Sequence, residues 1–432
     1  MADMNLAIFI LFGVFAVLLI IRVPVAFTLL ISSVVTAIYL NIPISALVQQ
    51  MVQGVKSFSL LAIPFFIIAG EIMGEGGMSR RLIEFSNVIV GRLRGGLALV
   101  NVLASMFFGG ISGSAVADAS SIGSIMIPMM EKNGYDKDYS VGVTITGACQ
   151  GVLIPPSHNM IIYSVAAGGV SVGALFLAGV VPGVLLGVTL MISSFIIAVM
   201  RNYPKGEKVS FKDAIRMTKD AILGLLTAVI IMGGVLSGQF TATESAAIAC
   251  IYAFIVTFFV YREIHISHMK KILYSSLRTL SMVMTLIATA SAFGWLLAYL
   301  RVPALTTNLL LSISDNKIVL LLLINVLLLV LGCIMDMAPL ILICTPILMP
   351  IINKLGVHPV HFGVILILNL AIGLCTPPVG SALFVGCSIG KISIEKMTRA
   401  MLPFYTAMIV TLLIVTFIPD LIMFIPNMFA SK

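Results

Sequence analysis

A chain of 432 residues in which 60% of side chains are hydrophobic and only 10% charged, with a mean hydropathy of +1.16, falls outside the soluble globular class, where about a quarter of residues carry charge. The formal charge of +8 does not signal nucleic acid, because the basic residues are scattered through short loops and gather on no single face. The six cysteines, Cys149, Cys250, Cys333, Cys344, Cys375 and Cys387, sit inside apolar segments without CxxC spacing, so they read as small buried hydrophobes, neither a zinc site nor a disulfide framework.

Taken in chain order at about 20 apolar residues per crossing, the membrane spans fall at 6–21, 23–40, 58–73, 139–168, 172–200, 221–237, 245–260, 280–300, 360–389 and 402–424. No charged n-region or A-x-A cleavage pattern precedes the first span, so it is expected to stay in the mature protein. Segments 79–91 and 303–314 read as matching interfacial arms. Segment 201–220, with Phe211, Ile215 and Met217 set among lysines, reads as an amphipathic connector along the inner surface. Two further apolar stretches, 96–130 and 318–352, are interrupted halfway, by SGSAVADASS around Asp118 and by GCIMDMAP around Asp336. Each is too long for one crossing, and its halves suit a hairpin that dips in and returns.

Two spans cannot be continuous helices. GVLIPP at 151–156 and GLCTPP at 373–378 each set two adjacent prolines in a segment of membrane-spanning length; proline lacks the backbone N–H and clashes with the preceding turn. Spans 139–168 and 360–389 are therefore expected as half-helices joined by open backbone. An offset of 222 superposes Pro128 on Pro350, Lys132 on Lys354, Gly134 on Gly356, Gly151 on Gly373, Pro155 and Pro156 on Pro377 and Pro378, Gly168 on Gly390, and Ser171 on Ser393. The chain is thus two copies of one unit.

With the N-terminus outside, 20 of the 25 basic residues fall on inner loops, leaving Lys56, Arg301, Lys317, Lys354 and Lys432 outside. The C-terminus then also lies outside. An odd number of crossings separates the hairpins, so the first enters from the inner face and the second from the outer. The expected fold is an all-α polytopic membrane protein of two inverted repeats, each with a re-entrant helical hairpin and a broken helix, the architecture of secondary transporters. The corresponding division is 1–95 as scaffold helices of the first repeat with its arm, 96–200 as the first transport part, 201–220 as the inner connector, 221–317 as the second scaffold part with its arm, and 318–432 as the second transport part.

Where half-helices end, unpaired carbonyls present negative charge; where they begin, free N–H groups present positive charge. Gly110, Ser112, Gly151 and Ile154 are expected to form one monovalent cation site, and Gly332, Gly373 and Thr376 its symmetric partner. The alternative is that these glycines serve close helix packing. Ser114, Asp118, Ser157, His158 and Asn159 are the candidate substrate-facing residues. Asp118 and Asp336, the acids at the hairpin tips, attract a cation, sense protons or cap the returning half-helix. His158 is either a substrate contact or a satisfied packing residue. Val379, Gly380 and Ser381 replace the polar trio in the second copy, an asymmetry that suits an asymmetric substrate. Thr241 and Glu244 have the spacing of a capping box.

The motifs FFGGISGSAVADASSIGSIMIP, IPPSHNMIIY, FTATESAAIA and NLAIGLCTPPVG, in this order, resemble the large membrane subunit of a tripartite ATP-independent periplasmic (TRAP) transporter, and the resemblance runs over essentially the whole chain. It implies sodium (Na+) driven uptake of an organic acid anion, such as a C4-dicarboxylate, sialic acid or sugar acid, by an elevator movement in the inner membrane, with no covalent chemistry and no organic cofactor. It also implies two protein partners, a periplasmic substrate-binding protein and a small four-helix membrane subunit; no extra helices represent the latter, so an unfused subunit is expected. A sodium carrier of the same superfamily working without a binding protein is the alternative. An intramembrane aspartyl protease using Asp118 and Asp336 lacks the GxGD signature, and a channel lacks a continuous polar path.

Overall fold

The computed structural model describes residues 3–206 and 208–430. Lys432, assigned above to the outer side, lies outside them. Among the described residues helices carry the whole architecture, and the sole extended pairing is one isolated bridge between Arg94 and Lys205.

The first repeat begins with α1 (Met4–Ile20), capped by Asp3, and α2 (Val25–Tyr39), which starts directly after Pro24. A helix absent from the sequence expectation, α3 (Ile44–Val55), follows. A 3-10 turn at Phe58–Leu61 leads into α4 (Ala62–Glu75), and the arm is α5 (Met78–Val90). The hairpin is α6 (Gly96–Ser112) and α7 (Ala115–Lys132), turned at Gly113, whose φ of +61° favours glycine. The broken helix is α8 (Lys137–Gly151) and α9 (His158–Ala166), and α10 (Val172–Met200) closes the repeat.

The second repeat runs α11 (Phe211–Leu236), α12 (Ala242–Ile255) with a π-helical turn at Val256–Tyr261, α13 (Met269–Tyr299) and the arm α14 (Val302–Ile313). Its hairpin is α15 (Lys317–Ile334) and α16 (Met337–Lys354), its broken helix α17 (Pro359–Leu374) and α18 (Ser381–Gly390). Then come α19 (Ile394–Ala400), α20 (Leu402–Phe417) and α21 (Pro419–Ala430). The capping box of Thr241 and Glu244 forms as its spacing predicts.

The expected fold class is what forms, with three differences in detail. Within the connector expected at 201–220, residues 211–220 are helical and continue into α11. The last span is split at Ile418, and α19 meets α20 at 57°. Seven described helices are long and apolar enough to cross a membrane, eight if that bent pair is one span; α1 and α2 are shorter, and the two broken helices divide their length between halves.

Hairpin arms of 17 and 18 residues are about 25–27 Å long. Length alone would let them cross, and α15 and α16 do pass as spans. What sets the depth of the tips is contact: each meets the break in the broken helix of its own repeat. That break lies about 22 Å along its span, beyond the 15 residues of α8.

The helices pack as two sets, α1–α5 with α11–α14, and α6–α10 with α15–α21. They meet where α5, and to a lesser extent α4, faces α6, and where α13 and α14 face α16. Thr189 Oγ1 on α10 lies 2.9 Å from Thr411 Oγ1 on α20, a pair separated by 222 residues. Equivalent positions of the two repeats thus touch each other, which places the pseudo-two-fold axis between α10 and α20.

Candidate functional site

Glycine makes the contact between hairpin and break possible. A Cβ on Gly109 would lie 2.2 Å from Gly151 Cα, and one on Gly373 would lie 2.7 Å from Gly332 Cα, so in both repeats backbone touches backbone. A Cβ on Gly110 would lie 3.0 Å from the Ile154 side chain and 3.4 Å from Pro155 O; one on Gly113 would lie 3.1 Å from Pro156 O and 3.3 Å from His158 Nδ1. In the second repeat Val379 N donates to Cys333 O at 3.0 Å, tying tip to break. The Pro155–Pro156 and Pro377–Pro378 bonds are both cis.

The residues expected at the first cation site are therefore brought together in part. Gly110, Gly151 and Ile154 line one seam, while Ser112 sits at its edge against the other helix set, where a Cβ on Gly70 of α4 would lie 3.3 Å from Ser112 Cα. At the second, Gly332 and Gly373 touch, and Thr376 joins them: its N–H donates to Gly373 O at 3.0 Å and its hydroxyl to Ile372 O at 2.7 Å.

The two tip acids are not equivalent. Ser114, not Asp118, caps α7, accepting from Ala117 N at 3.4 Å. Asp118 lies one turn further in, fully buried, with both carboxyl oxygens lacking a hydrogen-bond partner. The capping role open to Asp118 in the sequence is thus taken by its neighbour. A Cβ on Gly151 would lie 3.4 Å from Asp118 Oδ2, and the Ser105 hydroxyl faces the carboxyl without closing a hydrogen bond to it. Asp336 occupies the N-cap position of α16, is exposed, and accepts from Ser381 Oγ at 3.2 Å.

Ser157, at the N-cap of α9, is fully buried with an unpartnered hydroxyl; Asn159 is buried and His158 half-buried beside the Gly113 turn. Opposite, Pro378 and Val379 are exposed. The first break is thus closed, the second open.

Sequence reasoning missed the buried polar residues behind the first tip. Asn101 Nδ2 donates to Thr144 Oγ1 at 2.6 Å, and Asn101 and Ser105 stand one turn apart on α6, both fully buried. The four-residue spacings of Asn101 and Ser105, and of Ser140 and Thr144, are the signal that marks one helix face. Also missed was Tyr405, whose hydroxyl donates to Cys375 O at 2.7 Å at the second break. The offset of 222 puts Gly183 in its place in the first repeat, so Leu153 O, the counterpart of Cys375 O, has no such hydroxyl.

The donor set suits a hard monovalent cation: carbonyls at helix ends, the Ser112 and Thr376 hydroxyls, and one buried carboxyl with free oxygens. No group of three or more His, Cys, Asp or Glu suited to a transition metal occurs among the described residues.

The sequence profile of the family described as "Tripartite ATP-independent periplasmic transporter, DctM component" matches residues 12–421. The chain is 45% identical over 428 residues to the protein YgiK of Salmonella typhimurium, covering 98% of each. It is 39% identical over 407 residues to the sialic acid TRAP transporter large permease protein SiaM of Vibrio cholerae, covering 94% of this chain and 95% of that one. Among solved structures, the YdaH transporter of Alcanivorax borkumensis shares the fold at a TM-score of 0.63 and 16% identity, covering 86% of this chain and 88% of that one.

Proposed function

Because the chain belongs to the DctM component family of tripartite ATP-independent periplasmic transporters, we propose that it is the large permease of a sodium-coupled uptake system for an organic acid anion. Relatives are named for sialic acid, C4-dicarboxylate and 2,3-diketo-L-gulonate. An acid of that class is the proposed substrate, delivered by a periplasmic binding protein, with a separate small membrane subunit completing the complex in the inner membrane. Both termini then lie on the outer side.

The observation that carries this reading is the pair of helix breaks, each pressed by a hairpin tip, with the polar groups of the first left without partners. Sodium, when bound, contributes positive charge beside the carbonyl ends. Gly110, Ser112, Gly151 and Ile154 hold one ion and Gly332, Gly373 and Thr376 the other. Asp118 belongs with the first ion, because a buried carboxylate repels an organic anion and is stabilised by a cation. The anion meets the N-terminus of α9 and the side chains of Ser114, Ser157, His158 and Asn159, where free N–H groups favour negative charge. The loaded set α6–α10 with α15–α21 then slides against α1–α5 with α11–α14 in an elevator movement. Coupling follows from order: without the cations, Asp118 and the carbonyl ends repel the substrate.

Uptake into proteoliposomes holding this chain and its small-subunit partner tests the proposal, with labelled organic acids, with and without an inward sodium gradient and the binding protein. Uptake that requires both is expected, and Asp118→Asn should lower it by about tenfold or more while leaving the protein monodisperse. Uptake with sodium alone would point to a carrier independent of a binding protein. Uptake indifferent to sodium would refute the cation sites.

A further inference from the structure

Three stretches of chain pass between the two helix sets: 91–95 before α6, 201–210 before α11, and 314–316 before α15. The first two are joined to each other. Arg94 and Lys205 form the antiparallel bridge, Gly95 N donates to Pro204 O at 3.1 Å, Arg94 Nε donates to Tyr203 O at 3.2 Å, and Arg94 Nη2 donates to Asn202 Oδ1. A Cβ on Gly206 would lie 2.0 Å from Gly91 O, so the two backbones are in direct contact there as well.

The joined linkers are anchored on the turn between α7 and α8. Arg201 Nη1 reaches Asp136 Oδ2 at 3.0 Å and Asp138 Oδ1 at 3.1 Å, and Tyr203 OH donates to Asp136 Oδ2 at 2.7 Å. The Tyr203 ring lies against Tyr135 and Tyr139, with centroids 4.6 and 5.0 Å away. The third crossing is different: its side-chain hydrogen bonds, Asn316 N to Ser314 Oγ and Ile318 N to Asn316 Oδ1, stay local.

The lack of side chains on Gly91, Gly95 and Gly96 would by itself allow a free hinge between arm and hairpin. The contacts argue otherwise. To part the linkers, the bridge, the Arg94 hydrogen bonds and the tyrosine cluster must all give way together. We infer that residues 91–95 and 201–206 form one clasp that travels as a rigid piece with α6–α10. Displacement of the two helix sets then bends the chain outside the clasp, on the side toward α5 and on the side toward α11, and the single outer linker at 314–316 flexes alone. This rests on the proposal that the two sets move.

The test is spin labelling of the complete complex in nanodiscs, against a control without introduced cysteines. One pair is Arg94→Cys with Lys205→Cys, which gives up the Arg94 side-chain hydrogen bonds but keeps the backbone bridge and the tyrosine cluster, read by dipolar broadening. The other is Arg94→Cys with Tyr274→Cys on an exposed position of α13, read by pulsed distance measurement. The expected result is strong, unchanging broadening for the first pair with and without sodium and organic acid, while the second pair shifts. Loss of broadening on adding ligands overturns the clasp. A second pair that never shifts shows that the helix sets do not move, and removes the inference together with the reading beneath it. Oxidising the first pair to a disulfide should leave sodium-driven uptake within about twofold; uptake lost on oxidation and restored by reductant also overturns it.

Discussion

A methyl group on Gly151 would lie 2.8 Å from Gly109 Cα and 3.4 Å from Asp118 Oδ2, both fixed by helices packed on all sides. The closer neighbour is backbone, which cannot swing aside as a side chain can, so the strain has nowhere to go. Gly151→Ala should therefore lower stability by about 1–3 kcal/mol, read as a fall in detergent melting temperature, and should reduce sodium-dependent uptake with it. Gly233→Ala, where nothing lies within 4 Å, is the contrast: melting temperature unchanged or raised. Much of this seam was legible in sequence, because paired prolines and duplicated glycines report backbone geometry directly. The acids were not. Asp118 and Asp336 look like twins beside their tips, yet the offset of 222 carries Ser114, not Asp118, onto Asp336, and the structure places Ser114 and Asp336 at the two N-cap positions accordingly. The environment that separates them, full burial for one and exposure for the other, is tertiary and has no local signature.

At the scale of elements, the breaks were predictable and the short helix α3 was not. Gln49, Gln50 and Gln53 interrupt its apolar run, which falls well short of a crossing. It packs on α13 through the side that carries buried Leu47 and Gly54, where a Cβ would run into Ser291, while Ile44, Val48 and Val52 stay exposed; the N-terminal part of α13 occupies the corresponding position in the second repeat. The turn between α7 and α8 offers a test by pH. The Tyr203 hydroxyl, with Arg201 beside it, holds the Asp136 carboxyl below its ordinary value. A carboxyl lowered on folding adds stability that is fully present above its unfolded pKa, about 3.9, and is lost as pH falls through the lower folded value. Melting temperature should thus owe nothing to Asp136 titration between about pH 6 and 8, and the difference between the wild type and Asp136→Asn should shrink as pH falls below the ordinary carboxyl range. The side chain is 58% exposed, so the difference at neutral pH should stay under about 1 kcal/mol. A difference that grows in acid would contradict this assignment.

For the whole molecule, the contact between the helix sets at the first hairpin tip is a glycine against backbone: Gly70 of α4 faces Ser112 Cα, and a Cβ there would lie 3.3 Å away. A bulky side chain at this position is incompatible with the arrangement described here. Gly70→Leu should depress uptake by about tenfold or more while the melting temperature moves little, since α4 can keep its other contacts if the sets shift apart. Equal losses in both would mean that Gly70 is only a packing residue. The second hairpin meets the other set through α16, which packs on α13 and α14.

The Thr189 and Thr411 hydroxyls lie 2.9 Å apart although the repeat offset makes them the same position read twice. A residue that touches its own counterpart is the mark of an isologous interface, the kind found in homodimers, where one patch must be complementary to itself. The protein is in this respect a symmetric dimer written on a single strand of polypeptide, with residues 201–210 as the tether. Fusion has released the two halves from identity: Gly183 and Tyr405, or Ser114 and Asp336, could diverge once each sequence had only one orientation to serve. Directly across the axis that freedom ends, because a change in either threonine alters the surface against which the other must fit.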